Sequence, residues 1–83
     1  MENIKIVEIK LTNSDSQEDN ILSIEKIFIF KIAQFKNCKT IEEIRDQFED
    51  EYAGSFAYDY LEVATYKNLE SRALGKQVEY IGQ

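Results

Sequence analysis

The segment from Thr40 to Gly54 constrains the fold most, because it carries the signals for the start, the buried side and the end of one helix. Thr40 and Glu43 have the spacing of a capping box, in which each side chain accepts a hydrogen bond from the other residue's backbone N–H. Gly54 suits the left-handed residue that ends many helices. Apolar residues recur between them at spacings of three and four: Ile41, Ile44, Phe48 and Tyr52. The sequence therefore predicts a helix over residues 41–53.

The other side of this predicted helix is acidic. Residues 42–51 contain six carboxylates and one arginine: Glu42, Glu43, Asp46, Glu49, Asp50, Glu51 and Arg45. Three of the acids lie near the helix C-terminus, where the macrodipole disfavours negative charge. That placement costs helix stability, so it indicates that the charge serves another purpose. A cationic partner is the first candidate.

The residues before the helix predict two strands. Residues 3–12 alternate, with Val7, Ile9 and Leu11 on one face. Ile4 and Ile6 have the opposite phase, which requires either a bulge or a strand start that is covered on both faces. A polar connection follows at residues 13–20. For residues 21–37 a helical stripe competes with a strand, but the run from Ile27 to Phe30 favours a long strand antiparallel to the first.

The residues after the helix predict two more strands. Residues 56–66 are expected to be extended, with Phe56, Tyr58 and Tyr60 on one face and Leu61, Val63 and Thr65 on the other. Residues 68–74 predict a helical turn between the N-cap Asn68 and Gly75, and residues 78–81 a short last strand. We therefore expect a small α+β fold over residues 1–83 as a single domain. Its antiparallel sheet has the order β-β-α-β-β, with one main helix packed on one face.

Composition argues against most chemistry. The chain has no histidine and one cysteine, Cys38, which excludes an intrachain disulfide, a Cys–His pair and a zinc cluster. Cys38 is either a small half-buried residue or a thiol whose pKa is lowered by the helix N-terminus. Pairs of helix acids could hold Mg²⁺, but no base or nucleophile accompanies them. We expect no enzymatic activity and no catalytic, cofactor or metal site.

Charge and hydropathy limit the partners. The net charge of −6 disfavours direct nucleic-acid binding, which needs a basic patch, and disfavours anionic membrane surfaces. No run approaches the ~20 apolar residues of a membrane span, and no signal peptide is visible. We expect a cytoplasmic protein. Abundant Ile, Lys, Glu and Asn indicate an AT-rich genome, which is compatible with a low-GC bacterium or its phage.

These observations lead to two hypotheses about function. In the first, the chain is a non-enzymatic binding module whose helix acids meet a protein partner with a basic surface. Helix acids one turn apart lie about 5–6 Å from each other, close to the phosphate spacing of a nucleic-acid strand, so a small phage or mobile-element inhibitor could occupy a nucleic-acid-binding groove. In the second, a homodimerising structural or scaffold protein uses a tyrosine-rich strand, and the acids are only solvated. The candidate partner-binding residues are Glu42, Asp46, Glu49, Asp50, Tyr58 and Tyr60.

Overall fold

The computed structural model describes residues 4–13, 24–54 and 56–78. The strands are β1 (Ile6–Asn13), β2 (Ile24–Lys31) and β3 (Tyr60–Tyr66). The helices are α1 (Ile41–Glu51) and the short α2 (Leu69–Ala73), and a 3-10 helix (Ile32–Phe35) follows β2. The sheet is antiparallel, with the order β2-β1-β3. The predicted α+β class with one main helix is confirmed.

Side-chain alternation along the central strand β1 defines the two faces of the sheet. Val7, Ile9 and Leu11 are completely buried, as the alternation predicted. The pairing register places Phe28 and Phe30 of β2 beside them, together with residues 61, 63 and 65 of β3. We call this the core face. The opposite face, the open face, carries residues 6, 8, 10 and 12 of β1, 25, 27, 29 and 31 of β2, and 60, 62, 64 and 66 of β3.

The predicted stripe of α1 packs on the core face. Ile44 and Phe48 are fully buried. The ring centroids of Phe48 and Phe28 lie 5.0 Å apart in an edge-on arrangement. The capping box is present: the Glu43 N–H donates to Thr40 Oγ1, and the Thr40 N–H donates to Glu43 Oε1, both at 3.1 Å. The helix ends at Glu51, slightly before the predicted end, and Gly54 has the expected positive φ of 63°.

The strand predicted over residues 21–37 is only partly correct. Residues 24–31 form β2 and pair antiparallel with β1, whereas residues 21–23 lie outside the described residues. Beyond Lys31 the prediction is wrong, because the chain turns into the 3-10 helix. This turn buries Phe35 completely and brings its ring to 5.2 Å from that of Phe30. A straight strand would have run past the start of β1 and left Phe35 unburied.

The segment predicted to be extended over residues 56–66 also needs a correction. Leu61, Val63 and Thr65 do occupy the core face, but β3 begins only at Tyr60. Phe56 and Tyr58 pack against the core and do not share the open face with Tyr60. The physical reason is that residues 56–59 precede the strand, so the two-residue alternation does not apply to them.

The C-terminal part reproduces the predicted helical turn, whereas most of the predicted last strand lies outside the described residues. Asn68 caps α2 by accepting the Ser71 N–H at 2.8 Å, and Gly75 follows the helix with a φ of 74°. Just before that predicted strand a bridge joins Gln77 to Tyr66, and the Val78 N–H donates to the Thr65 carbonyl at 2.7 Å. Residues 79–81 of that strand lie outside the described residues. The β-β-α-β-β order is therefore not confirmed.

Candidate functional site

The carboxylates of α1 form one exposed surface. All of them are exposed, and Asp46 and Asp50 lie most nearly opposite the buried stripe. The four that were predicted to bind a partner are Glu42, Asp46, Glu49 and Asp50. We call this set the acidic face. Glu42, Asp46 and Asp50 follow one another at four-residue intervals, so their Cα atoms rise along the helix in steps of about 6 Å. The result is a row of negative charge that drifts by about 40° around the helix at each step.

The charges of the acidic face are not neutralised within the described residues. The ion pairs found there join Lys10 to Glu25 at 3.8 Å, Lys10 to Glu62 at 3.5 Å, and Arg72 to Glu8 at 3.1 Å. The acids of these three pairs lie on the open face of the sheet, away from α1. The potential of the acidic face therefore extends into solvent, reduced by screening and by the charge of Arg45, which also acts on Tyr58.

One predicted aromatic neighbour is joined to the acidic face. The Tyr58 hydroxyl donates a hydrogen bond of 2.6 Å to Glu49 Oε2. This bond, together with partial burial, raises the pKa of Tyr58 above its ordinary value of 10.0. Tyr58 thereby links the segment before β3 to the outer side of α1 and restrains Glu49.

The second predicted aromatic neighbour is not brought to the acidic face. Tyr60 is 57% exposed and lies on the open face, because its neighbour Leu61 faces the core. Tyr66 also lies on the open face, where burial and, to a smaller extent, Glu8 raise the pKa of its phenol. The tyrosines of residues 58–66 are therefore divided between the two sides of the sheet and do not form one surface.

Cys38 lies just before α1, contacts Gln47 of that helix and is buried, with 4% of its surface exposed. Its thiol donates to Gln47 Oε1 at 3.2 Å, and Gln47 Nε2 donates to the Gln34 carbonyl at 2.8 Å. Burial raises the pKa of Cys38 above 9.0, and the nearby helix acids raise it further. The lowered pKa that a helix N-terminus would give is therefore the wrong alternative. The role of Gln47 in this contact had no visible sequence signal.

The open face holds a second cluster of charges around a shallow cavity of about 210 Å³. Its lining residues are Glu8, Lys10, Glu62, Ala64, Tyr66 and Gln77. Glu8 pairs with Arg72 through two hydrogen bonds of 3.1 and 3.3 Å, and Lys10 pairs with Glu62. These charges satisfy one another, unlike those of the acidic face. Sequence reasoning missed this cluster because it depends on the pairing register of three strands.

Within the described ranges, no three acidic or cysteine side chains are grouped so that they could hold a metal ion. None of the described helices has the length and apolar character needed to cross a membrane. Comparison with protein families, curated proteins and solved structures finds no match to this chain.

Proposed function

We propose that the chain is a non-enzymatic, cytoplasmic binding module that docks the acidic face of α1 onto a basic surface of a protein partner. The observation that supports this most is the contrast between two groups of charges. The open-face acids Glu8, Glu25 and Glu62 have basic partners within the chain, whereas the acidic face has none among the described residues. Charges left unpaired at one place are available to an external cation.

The spacing of the acidic face favours a particular kind of basic surface. Glu42, Asp46 and Asp50 form a row with a step of about 6 Å, which is close to the distance between successive phosphates of a nucleic-acid strand. A groove that normally binds DNA or RNA carries cations arranged for that spacing. We therefore propose that the partner is a nucleic-acid-binding protein and that this chain inhibits it by occupying the groove. The abundance of Ile, Lys, Glu and Asn indicates an AT-rich genome, which is compatible with a phage or mobile-element origin.

The support beneath the acidic face also favours a binding role. The capping box fixes the start of α1, and Phe48 anchors its middle against Phe28. Tyr58 holds Glu49 by a hydrogen bond near the other end. A surface that is ordered before binding loses less conformational entropy when it meets its partner.

The test is capture from a bacterial lysate by the immobilised full chain, followed by elution with duplex DNA. A variant with Glu42→Gln, Asp46→Asn and Asp50→Asn removes three charges from the acidic face but keeps the Tyr58–Glu49 bond. A control with Glu8→Gln, Glu62→Gln and Glu70→Gln removes the same charge from β1, β3 and α2. We expect the wild-type chain to capture nucleic-acid-binding proteins that duplex DNA displaces. The control should retain these proteins, and the acidic-face variant should lose them. Equal retention by both variants would contradict it.

A further inference from the structure

The outer edge of β2 pairs with no strand in the part of the chain that the structure describes. In the described residues, β2 pairs with β1 alone, along all eight of its residues. The outer edge of β3, by contrast, receives a hydrogen bond of 2.7 Å from Val78 N–H to the Thr65 carbonyl. Ile27 and Ile29 of β2 are 49% and 43% exposed on the open face. A long strand edge with exposed apolar side chains is a template for pairing with another strand.

The direction of the backbone groups along β2 follows from one hydrogen bond at its end. The Ile32 N–H donates to the Lys5 carbonyl at 2.9 Å, so the backbone of Ile32 points towards β1. Residues in an antiparallel pair alternate between those that bond to a given neighbour and those that do not. The even-numbered residues of β2 therefore bond to β1. The N–H and C=O groups of Glu25, Ile27, Ile29 and Lys31 point outward.

These outward groups suit a second copy of the same strand. We propose that β2 pairs antiparallel with β2 of another copy about a two-fold axis at Phe28, which joins two three-stranded sheets into one continuous sheet. In this register Glu25 lies opposite Lys31 of the second copy, and Ile27 lies opposite Ile29. Each of these outward-facing pairs exchanges two hydrogen bonds. The two-fold axis repeats every contact.

The side chains of two β2 strands are complementary to each other in this register and not in the neighbouring ones. The outward groups also allow shifts by two residues, but these place Glu25 opposite Ile29 or Ile27 opposite Lys31 of the second copy. Either shift leaves a charge opposite an apolar side chain and loses the ion pair. Opposite charges and apolar pairs directly across an antiparallel pair are favourable, so the unshifted register is preferred.

The proposed dimer does not depend on the acidic face. The two-fold axis is perpendicular to the sheet, because that is the axis that relates antiparallel neighbouring strands. Both copies of α1 therefore lie on the same side of the continuous sheet. This arrangement displays two acidic faces to a common partner or to two copies of it, while the edge contact itself involves only β2.

The test is sedimentation of the full chain from micromolar to millimolar concentration, with three variants. We expect the mass to rise from monomer to dimer for the wild-type chain and to stay monomeric for Glu25→Lys, which sets lysine against lysine. Adding Lys31→Glu to that variant should restore dimerisation. Glu62→Lys is the matched control, because it removes an ion pair with the same Lys10 without touching β2, and it should dimerise normally. Circular dichroism is the control that tests whether each variant is folded.

Amide exchange gives an independent readout at single residues. Dimerisation should slow exchange of the Ile27 and Ile29 amides as concentration rises, while the Phe28 amide, which faces β1, should be protected throughout. A wild-type chain that stays monomeric at millimolar concentration would overturn the proposal. So would a dimer that Glu25→Lys leaves intact, or one without added protection at Ile27 and Ile29.

Discussion

Replacement of Thr65 by valine is expected to stabilise the fold. Thr65 lies on the core face of β3 opposite Val7, and its side chain is completely buried. Its hydroxyl Oγ1 has no hydrogen-bond partner among the described residues. Burying a hydroxyl without a partner costs about 1–3 kcal/mol. Valine has the same branched shape and suits a strand equally well, so the variant removes this cost with little change in packing.

The expected gain for Thr65→Val is about 1–2 kcal/mol in the free energy of unfolding. For a domain of this size, each kcal/mol shifts Tm by about 4–8 °C. Urea and thermal melts followed by circular dichroism measure both quantities. Thr12→Val, at a half-buried position on the open face, is the matched control and should change stability by less than about 0.5 kcal/mol. A loss of stability in Thr65→Val would show that the hydroxyl has a partner and would refute the reasoning.

Two further predictions concern α1 and the cysteine just before it. Phe48→Ala should cost about 3–5 kcal/mol, because the ring is fully buried against Phe28; a urea melt showing a change below about 1 kcal/mol would contradict the assigned helix face. Iodoacetamide should alkylate Cys38 more slowly in the folded chain than in urea, because burial raises the pKa of its thiol above 9.0. The raised pKa favours the folded state only while the thiol is protonated, so this contribution is lost as pH rises through the folded-state pKa. Equal alkylation rates would show that the thiol is exposed.

The sequence predicted those elements whose signals are local. The capping box of Thr40 and Glu43 and the caps of α2 are each formed within a few residues, so no tertiary contact was needed to recognise them. The alternation of Val7, Ile9 and Leu11 likewise reports one buried face of a strand. These predictions are confirmed because local preference and tertiary packing agree at these positions.

The errors arose where a distant contact decides the local structure. Phe56 and Tyr58 alternate as a strand would, but β3 starts only after the Asp59 N–H bonds to the Thr12 carbonyl at 2.9 Å. Phe35 similarly leaves the predicted strand to pack against Phe30. Neither contact partner can be identified from neighbouring sequence positions, so alternation alone placed the boundaries wrongly.

In the candidate sites, too, features with a local sequence signal could be predicted and features that depend on distant contacts could not. The exposure of the helix acids could be predicted, because their spacing from the apolar stripe fixes their side of α1. The bond from Tyr58 to Glu49 and the separation of Tyr60 from the acidic face could not, since both depend on where β3 begins. The symmetric pattern from Glu25 to Lys31 is visible in the sequence. This pattern indicates self-pairing only when the structure shows that β2 is an edge strand of the described sheet.

The central claim, that the acidic face binds a basic surface, is tested most directly by association kinetics with a captured partner across a salt series. Exposed ion pairs contribute only about 0–1 kcal/mol each, so the informative variant is the triple change Glu42→Gln, Asp46→Asn and Asp50→Asn. We predict slower association and a flatter salt dependence for this variant, because opposite charges steer the encounter. The control Glu8→Gln, Glu62→Gln, Glu70→Gln should retain the wild-type salt dependence. An unchanged rate and salt slope for the acidic-face variant would contradict the claim.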